Sequence, residues 1–225
     1  MYQNTTTQVG AFEFEGAVTS GNNTAANVDL SLLGLAPGAA GEQIGSLSVL
    51  GYNFSPDTVQ ADPTIYVWAD NGTGGNPGTL LGEYSLGLQT MAAGASTDFT
   101  YTVPGGLSVP GDDQIWVGLG YSNDNGLSTI TATDLNDLGG LTFGPATVGT
   151  ALNPPAVDGA GVGAVFFPPT ELGSLNNPTV YAFGAPGTAE YGWTVTATPE
   201  PGSFVLFATG LLALGSLILW RRQRV

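Results

Sequence analysis

The stretch TIYVWADNGTGGNPGTLLGEYSL, residues 64–86, decides how this chain folds. Its first seven residues alternate as a strand does. Tyr66, Trp68 and Asp70 share one face, and Ile65, Val67 and Ala69 fill the other. Apolar side chains on both faces suit a central strand, buried front and back. DNGTGGNPG (70–78) then supplies turn residues, and TLLGEYSL (79–86) begins a second strand. Strand, turn and strand make a hairpin.

The same period of two recurs across residues 11–198, and no long helical period interrupts it. AFEFE (11–15) sets Phe12 and Phe14 against Glu13 and Glu15, and DFTYTV (98–103) aligns Phe99, Tyr101 and Val103. QIWVGLGY (114–121) aligns Ile115, Val117, Leu119 and Tyr121. YGWTVTAT (191–198) sets Trp193, Val195 and Ala197 against Thr194, Thr196 and Thr198. Further strands are expected at NVDLSLL (27–33), IGSLSVLGYNF (44–54), STITAT (128–133), GAVFF (163–167) and TVYAF (179–183). Turn clusters such as VPGG (103–106) and NDNG (123–126) separate them. About ten short strands in one unit predict an all-β fold over residues 1–198, an antiparallel β-sandwich of jelly-roll type. No internal repeat of fixed period is present.

Charge restricts what this domain can bind. The chain of 225 residues has 18 Asp or Glu against three Arg, no Lys and no His. All three cations, Arg221, Arg222 and Arg224, sit in the last five residues, so residues 1–220 hold no base to pair any carboxylate. Nucleic acid is excluded as a partner, because phosphate binding needs Lys or Arg. Anionic lipid surfaces and acidic polysaccharides are repelled on the same ground, which leaves divalent cations and neutral sugars. Without Cys or His, disulfides, thiolate chemistry, zinc sites and histidine triads drop out.

The chain ends PEPGSFVLFATGLLALGSLILWRRQRV (199–225). Residues 202–220 carry no charge and no polar stripe. As a helix they span roughly 28 Å, a bilayer's hydrocarbon thickness, and the expectation is a single transmembrane helix. Positive residues stay on the cytoplasmic side, which puts residues 1–198 outside it. Gly210 and Gly215 are five apart, so the close-packing GxxxG pattern is missing.

Pro199-Glu200-Pro201, an apolar helix and a terminal arginine cluster, in that order, resemble the PEP-CTERM sorting signal of bacterial surface and secreted proteins. The resemblance covers about the last 27 residues. It implies an exosortase, a membrane-embedded cysteine transpeptidase, that cuts near Pro199 to Pro201 and releases or re-anchors the ectodomain. It also implies an envelope or biofilm setting with exopolysaccharide. Residues 65–86 are loosely similar to hairpins of other ectodomains with this tail, a likeness of fold and not of activity. Proteins with this signal begin with an export signal, whereas MYQNTTTQVGAFEFEG (1–16) has no basic n-region and no apolar h-region. The expectation is a natural start upstream of Met1, or a truncated chain. A cytoplasmic, tail-anchored orientation conflicts with the charge rule.

Three constellations in the ectodomain invite chemistry. Glu13 and Glu15 project from one strand face about 7 Å apart, a separation that suits an inverting glycosidase. Nothing near them in sequence separates their pKa values, and a solvated face is the simpler reading. Asp112 and Asp113 are adjacent and would point to opposite faces, so they form no pair. Asp70 and Asn71, then Asn123, Asp124 and Asn125, then Asp134 and Asp137, offer oxygen ligands for calcium, the one candidate cofactor, although the EF-hand spacing is absent. Tyr66, Trp68 and Trp116, the last with Gly118 and Gly120 beside it, offer a candidate sugar platform. Buried tryptophan in a sandwich core is the competing reading.

The sequence thus describes an exported, non-enzymatic cell-surface or matrix protein. Its expected partners are a processing exosortase, the membrane through the C-terminal helix, and exopolysaccharide. The rivals are a carbohydrate-binding module, which needs its aromatics in one open patch, and a glycosidase, which needs two carboxylates facing each other in a cleft.

Overall fold

A computed structural model describes residues 1–13, 17–26, 28–36, 39, 41–74, 76–144, 146–152 and 190–198. In chain order the first strands are β1 (Tyr2–Gln3), β2 (Gln8–Glu13), β3 (Val18–Ser20), β4 (Asn23–Ala25) and β5 (Asp29–Gly34). β6 (Gln43–Asn53), β7 (Val59–Ala69), β8 (Leu80–Ser85), β9 (Gln89–Met91), β10 (Ser96–Ser108) and β11 (Gln114–Ser122) follow. After the short helix α1 (Ala132–Asn136) come β12 (Leu138–Phe143), β13 (Thr150–Leu152), β14 (Glu190–Tyr191) and β15 (Trp193–Thr198).

These strands form two sheets, and every pairing among the described residues is antiparallel. In the first, β6 pairs with β10 along one edge and shares its other edge between β15 and β12. β15 carries β1, and β12 carries β2 and β14. In the second, β11 is central, with β7 on one side and β5 and β4 on the other. β7 carries β8 and β9, β5 carries β13, and β4 carries β3.

The sheets face each other across one apolar core, as the period of two requires. β6 contributes Leu47 and Val49, β10 Phe99 and Val103, and β15 Trp193 and Val195. They meet Ile65 and Val67 of β7 and Ile115, Val117 and Leu119 of β11. Phe99 and Tyr121, one from each sheet, meet edge to face at 6.0 Å. The Tyr121 hydroxyl crosses the core to donate to the Gly139 carbonyl at 3.0 Å. Opposite them stands Gly51, where a Cβ would run into the Tyr121 hydroxyl and the Phe99 ring. Only glycine leaves room for that pair.

Residues 128–133 depart from the expected strand. Ser128 to Ile130 form a loop, Thr131 caps α1, and Ala132 and Thr133 are its first two residues, although the β-branched residues of STITAT favour a strand. The capping box overrides that preference. The Thr131 hydroxyl oxygen accepts from the Asp134 amide at 3.2 Å, and Asp134 Oδ2 accepts from the Thr131 amide at 2.9 Å. VPGG is not a turn either. β10 continues through it, with Gly105 and Gly106 at φ 77° and 76° making a bulge where the ladder to β6 jumps from Thr102 to Leu107. The expected strands at 163–167 and 179–183 lie outside the described residues. So do Glu15, the motif Pro199-Glu200-Pro201, the apolar segment 202–220, and Arg221, Arg222 and Arg224. Among the described residues, no helix is long and apolar enough to cross a membrane.

Candidate functional site

The second sheet turns its outer face away from the main core, and the register between β11 and β7 lays that face out in rows. Trp116 lies opposite Trp68, Gly118 opposite Tyr66, Gly120 opposite Thr64, and Ser122 opposite Asp62. β8 extends three of these rows, with Leu80 opposite Trp68, Glu83 opposite Tyr66 and Ser85 opposite Thr64. The face therefore grades from aromatic at one end to polar at the other.

At the aromatic end, Tyr66, Trp68 and Trp116 come together as the sequence implied, but not as an open platform. Trp68 and Trp116 are 0% exposed and Tyr66 is 7% exposed. They form a second core with Val28, Leu30 and Leu32. Tyr66 and Trp68 stack at 5.5 Å and 21°. The room left by Gly118 is filled by Leu30, Val28 and Trp68, so no ring face is free for a sugar. Packing has claimed the surface that the platform reading needed.

Most side chains of the cation loops are likewise taken up by their own fold. Asp70 Oδ1 accepts from the Trp116 indole N–H at 3.1 Å. Asn71 closes its loop on Thr79, with Oδ1 accepting from the backbone N–H at 2.8 Å and Nδ2 donating to the hydroxyl at 3.1 Å. Asn123 accepts from the Thr24 amide and donates to the Asn22 carbonyl, both at 2.9 Å, which pins the β3–β4 hairpin to the end of β11. Asp134 is spent on the helix cap, and Asp137 is the C-cap of α1. Ala69 pairs with Ile115 and Asp62 with Ser122, so seven strand residues, about 23 Å, separate the Asp70 end from the Asp124 end. The calcium loops therefore do not combine. Among the described residues, no three His, Cys, Asp or Glu converge closely enough to hold a metal ion. Glu13 is exposed at the end of β2, and Asp112 caps its own turn by accepting from the Gln114 amide at 3.2 Å.

The polar end of the face holds a cavity of about 300 Å³. Val28, Ala25, Ala26 and Gly120 line it together with Tyr66 and Thr64. Asp62, Glu83 and Asp124 line it, with Ser85, Ser122, Asn23 and Asn125 between them. Asp124 and Asn125 reach it from a turn at φ 49° and 52°, the left-handed region that Asp and Asn tolerate better than most residues. Asp62 is the buried member, 5% exposed. The Ser85 hydroxyl lies 3.0 Å and 2.9 Å from its two oxygens and can donate to one of them at a time. Burial raises the Asp62 pKa, and the Asp124 charge raises it further. Ser85 and the backbone at Gly87 and Leu86 oppose the shift. Burial, with the charges of Glu83 and Asp62, likewise holds the Tyr66 phenol protonated well above its ordinary range. The sequence reading found Asp124 and Asn125 but missed Asp62, Glu83 and Ser85. The signal was present, because stepping back by twos from Trp68 and Tyr66 reaches Thr64 and then Asp62 on the same face.

A raised carboxyl pKa in the folded state sets the direction of a pH effect. The fold holds the Asp62 proton more tightly than the unfolded chain does. Its contribution is therefore most favourable at low pH and is lost as pH rises from 3.8 through the raised value. Asp70, raised mainly by burial, acts in the same direction. The melting temperature is expected to fall as pH rises above 3.8 through the raised value, and Asp62→Asn should flatten that slope and raise the melting temperature at neutral pH. A wild-type melting temperature that climbs over this range would contradict the assignment.

The comparisons with known proteins bear on the C-terminus. A family model described as the PEP-CTERM protein-sorting motif matches residues 197–223. The chain carries a PEP-CTERM sorting signal, which supports an exported protein sorted by an exosortase. No curated protein and no solved structure matches the chain.

Proposed function

We propose that this is an exported, non-catalytic surface or extracellular-matrix protein, associated with exopolysaccharide and delivered through its C-terminal signal. In this reading the sandwich is of jelly-roll type, residues 202–220 cross the membrane, and processing at Pro199 to Pro201 frees or re-anchors the domain. One observation carries the proposal. The sorting match begins at Ala197, inside β15, so the signal follows the last strand with no linker. A domain fused so tightly to a removable signal is the cargo of that signal. The absence of any Lys, Arg or His in residues 1–220 adds that a polysaccharide partner is not anionic.

Intact mass of the protein from its native host tests the delivery. The expected product lacks residues 202–225, a loss of about 2.5 kDa. Surface protein that still ends in Val225 would make the segment a plain anchor and sink the sorting reading. A glycosidase is the second reading, because Asp62 and Asp124 line one cavity and Asp62 is shifted upward. Hydrolysis of a nitrophenyl glycoside that disappears in Asp62→Asn would replace the non-catalytic assignment.

A further inference from the structure

We infer that the cavity at the Asp62 end of the outer sheet face binds one neutral sugar residue. Asp62, Glu83 and Asp124 accept hydrogen bonds from its hydroxyls, and a C–H edge of the ring rests on Val28. This deepens the matrix reading and rests on it only for where the sugar is met; binding itself belongs to the folded chain.

The chemistry of the walls selects the ligand. Three carboxylates and the oxygens of Ser85, Ser122 and Asn125 offer many acceptors, and residues 1–220 hold no cation to satisfy them. A complementary ligand must bring several hydrogen-bond donors and no negative charge. A metal ion needs its ligands focused on one point, and no three acidic groups among the described residues converge in that way. A polyol spreads its donors around a ring, as these acceptors are spread around a wall.

Three further observations fit a sugar. The volume, about 300 Å³, stands at the lower end of small-molecule sites, about 300–1,000 Å³. Val28, which fills the space over Gly120, puts a small apolar patch in the lining against which a C–H edge of a pyranose can rest. The Asn23 side-chain oxygen, in the cavity lining, is buried and meets no hydrogen-bond donor among the described residues. Asp62 adds preorganisation. Ser85 fixes the carboxylate, and Tyr66 is held by its stack on Trp68, so neither group is ordered at the moment of binding.

The test is saturation-transfer NMR on the full-length chain in sugar-free zwitterionic micelles. The probes are the methyl glycosides of glucose, galactose, mannose and N-acetylglucosamine. At least one should receive transfer. Glu83→Ala, at an exposed rim position, should weaken it about tenfold, and Asp62→Asn at least as much. If Asp62→Asn misfolds, Glu83→Ala decides alone. No transfer to any of the four, or binding that both variants leave unchanged, overturns the site. Calcium chloride that competes for the cavity with saturable affinity, while no glycoside binds, reassigns it to a cation and also overturns the proposal. The two readings fail separately. A chain that binds sugar yet keeps Val225 at the surface loses the delivery reading alone, and a processed chain that binds none loses the site alone.

Discussion

Trp68→Ala is expected to remove about 4 kcal/mol of stability, enough to leave the domain largely unfolded at 37 °C if its total is near the lower end of the usual range. The argument starts from burial. Trp68 is 0% exposed, stacked on Tyr66 and packed with Trp116, Leu30 and Val28 on the outer face of the second sheet. Alanine there deletes a whole indole from a packed layer whose neighbours are anchored on three strands, so the hole cannot close. A tryptophan serving as an exposed sugar platform would cost less than about 1 kcal/mol when truncated. Urea unfolding followed by circular dichroism separates the cases, since a lower midpoint at constant slope reports stability alone. A midpoint within error of wild type would return Trp68 to the surface.

Asn53→Ala is expected to cost about 3 kcal/mol through a different physics. Asn53 ends β6 and is 0% exposed. Its two amide hydrogens are shared among the carbonyls of Asp57 at 2.9 Å, Met91 at 3.1 Å and Ala92 at 3.2 Å, and its oxygen accepts from the Ser55 amide at 2.9 Å. One side chain thus holds the end of β6, the loop before β7 and the end of β9. Alanine strands buried backbone groups without partners, which is more costly than losing a bond at the surface. Hydrogen exchange gives the second readout. The Ser55 amide should lose protection in the variant while the β11 amides keep theirs relative to global unfolding. Unchanged protection at Ser55 would mean that another acceptor takes over.

Much of the fold was legible because alternation is a property of single strands. β6, β7, β10, β11 and β15 could be read from their own residues, and Phe99, Val103, Trp193 and Val195 do face the core. The failures are positions where another force decides. LGGLTF (β12) is buried on both faces and carries two glycines, so it shows no alternation to read. STITAT looks like a strand until Thr131 and Asp134 cap a helix. The site was half legible for the same reason. Asp124 and Asn125 announce themselves as turn residues, but Asp62 and Ser85 become neighbours only through the β7–β8 register, which no local pattern states. The fate of Trp68 and Trp116 was also undecided in sequence, since a core ring and a platform ring share one alternation.

β15 has a mechanical consequence. It is an interior strand, held by β6 on one edge and by β1 on the other, and it runs out at Thr198 straight into the sorting motif. Its backbone bonds lie across the strand axis. Tension applied through residue 199 therefore draws β15 lengthwise and strains those bonds in parallel, as shear, instead of peeling them apart one after another. A domain pulled through that end would yield all at once or not at all, and the strand that meets the load first is the one best placed to resist.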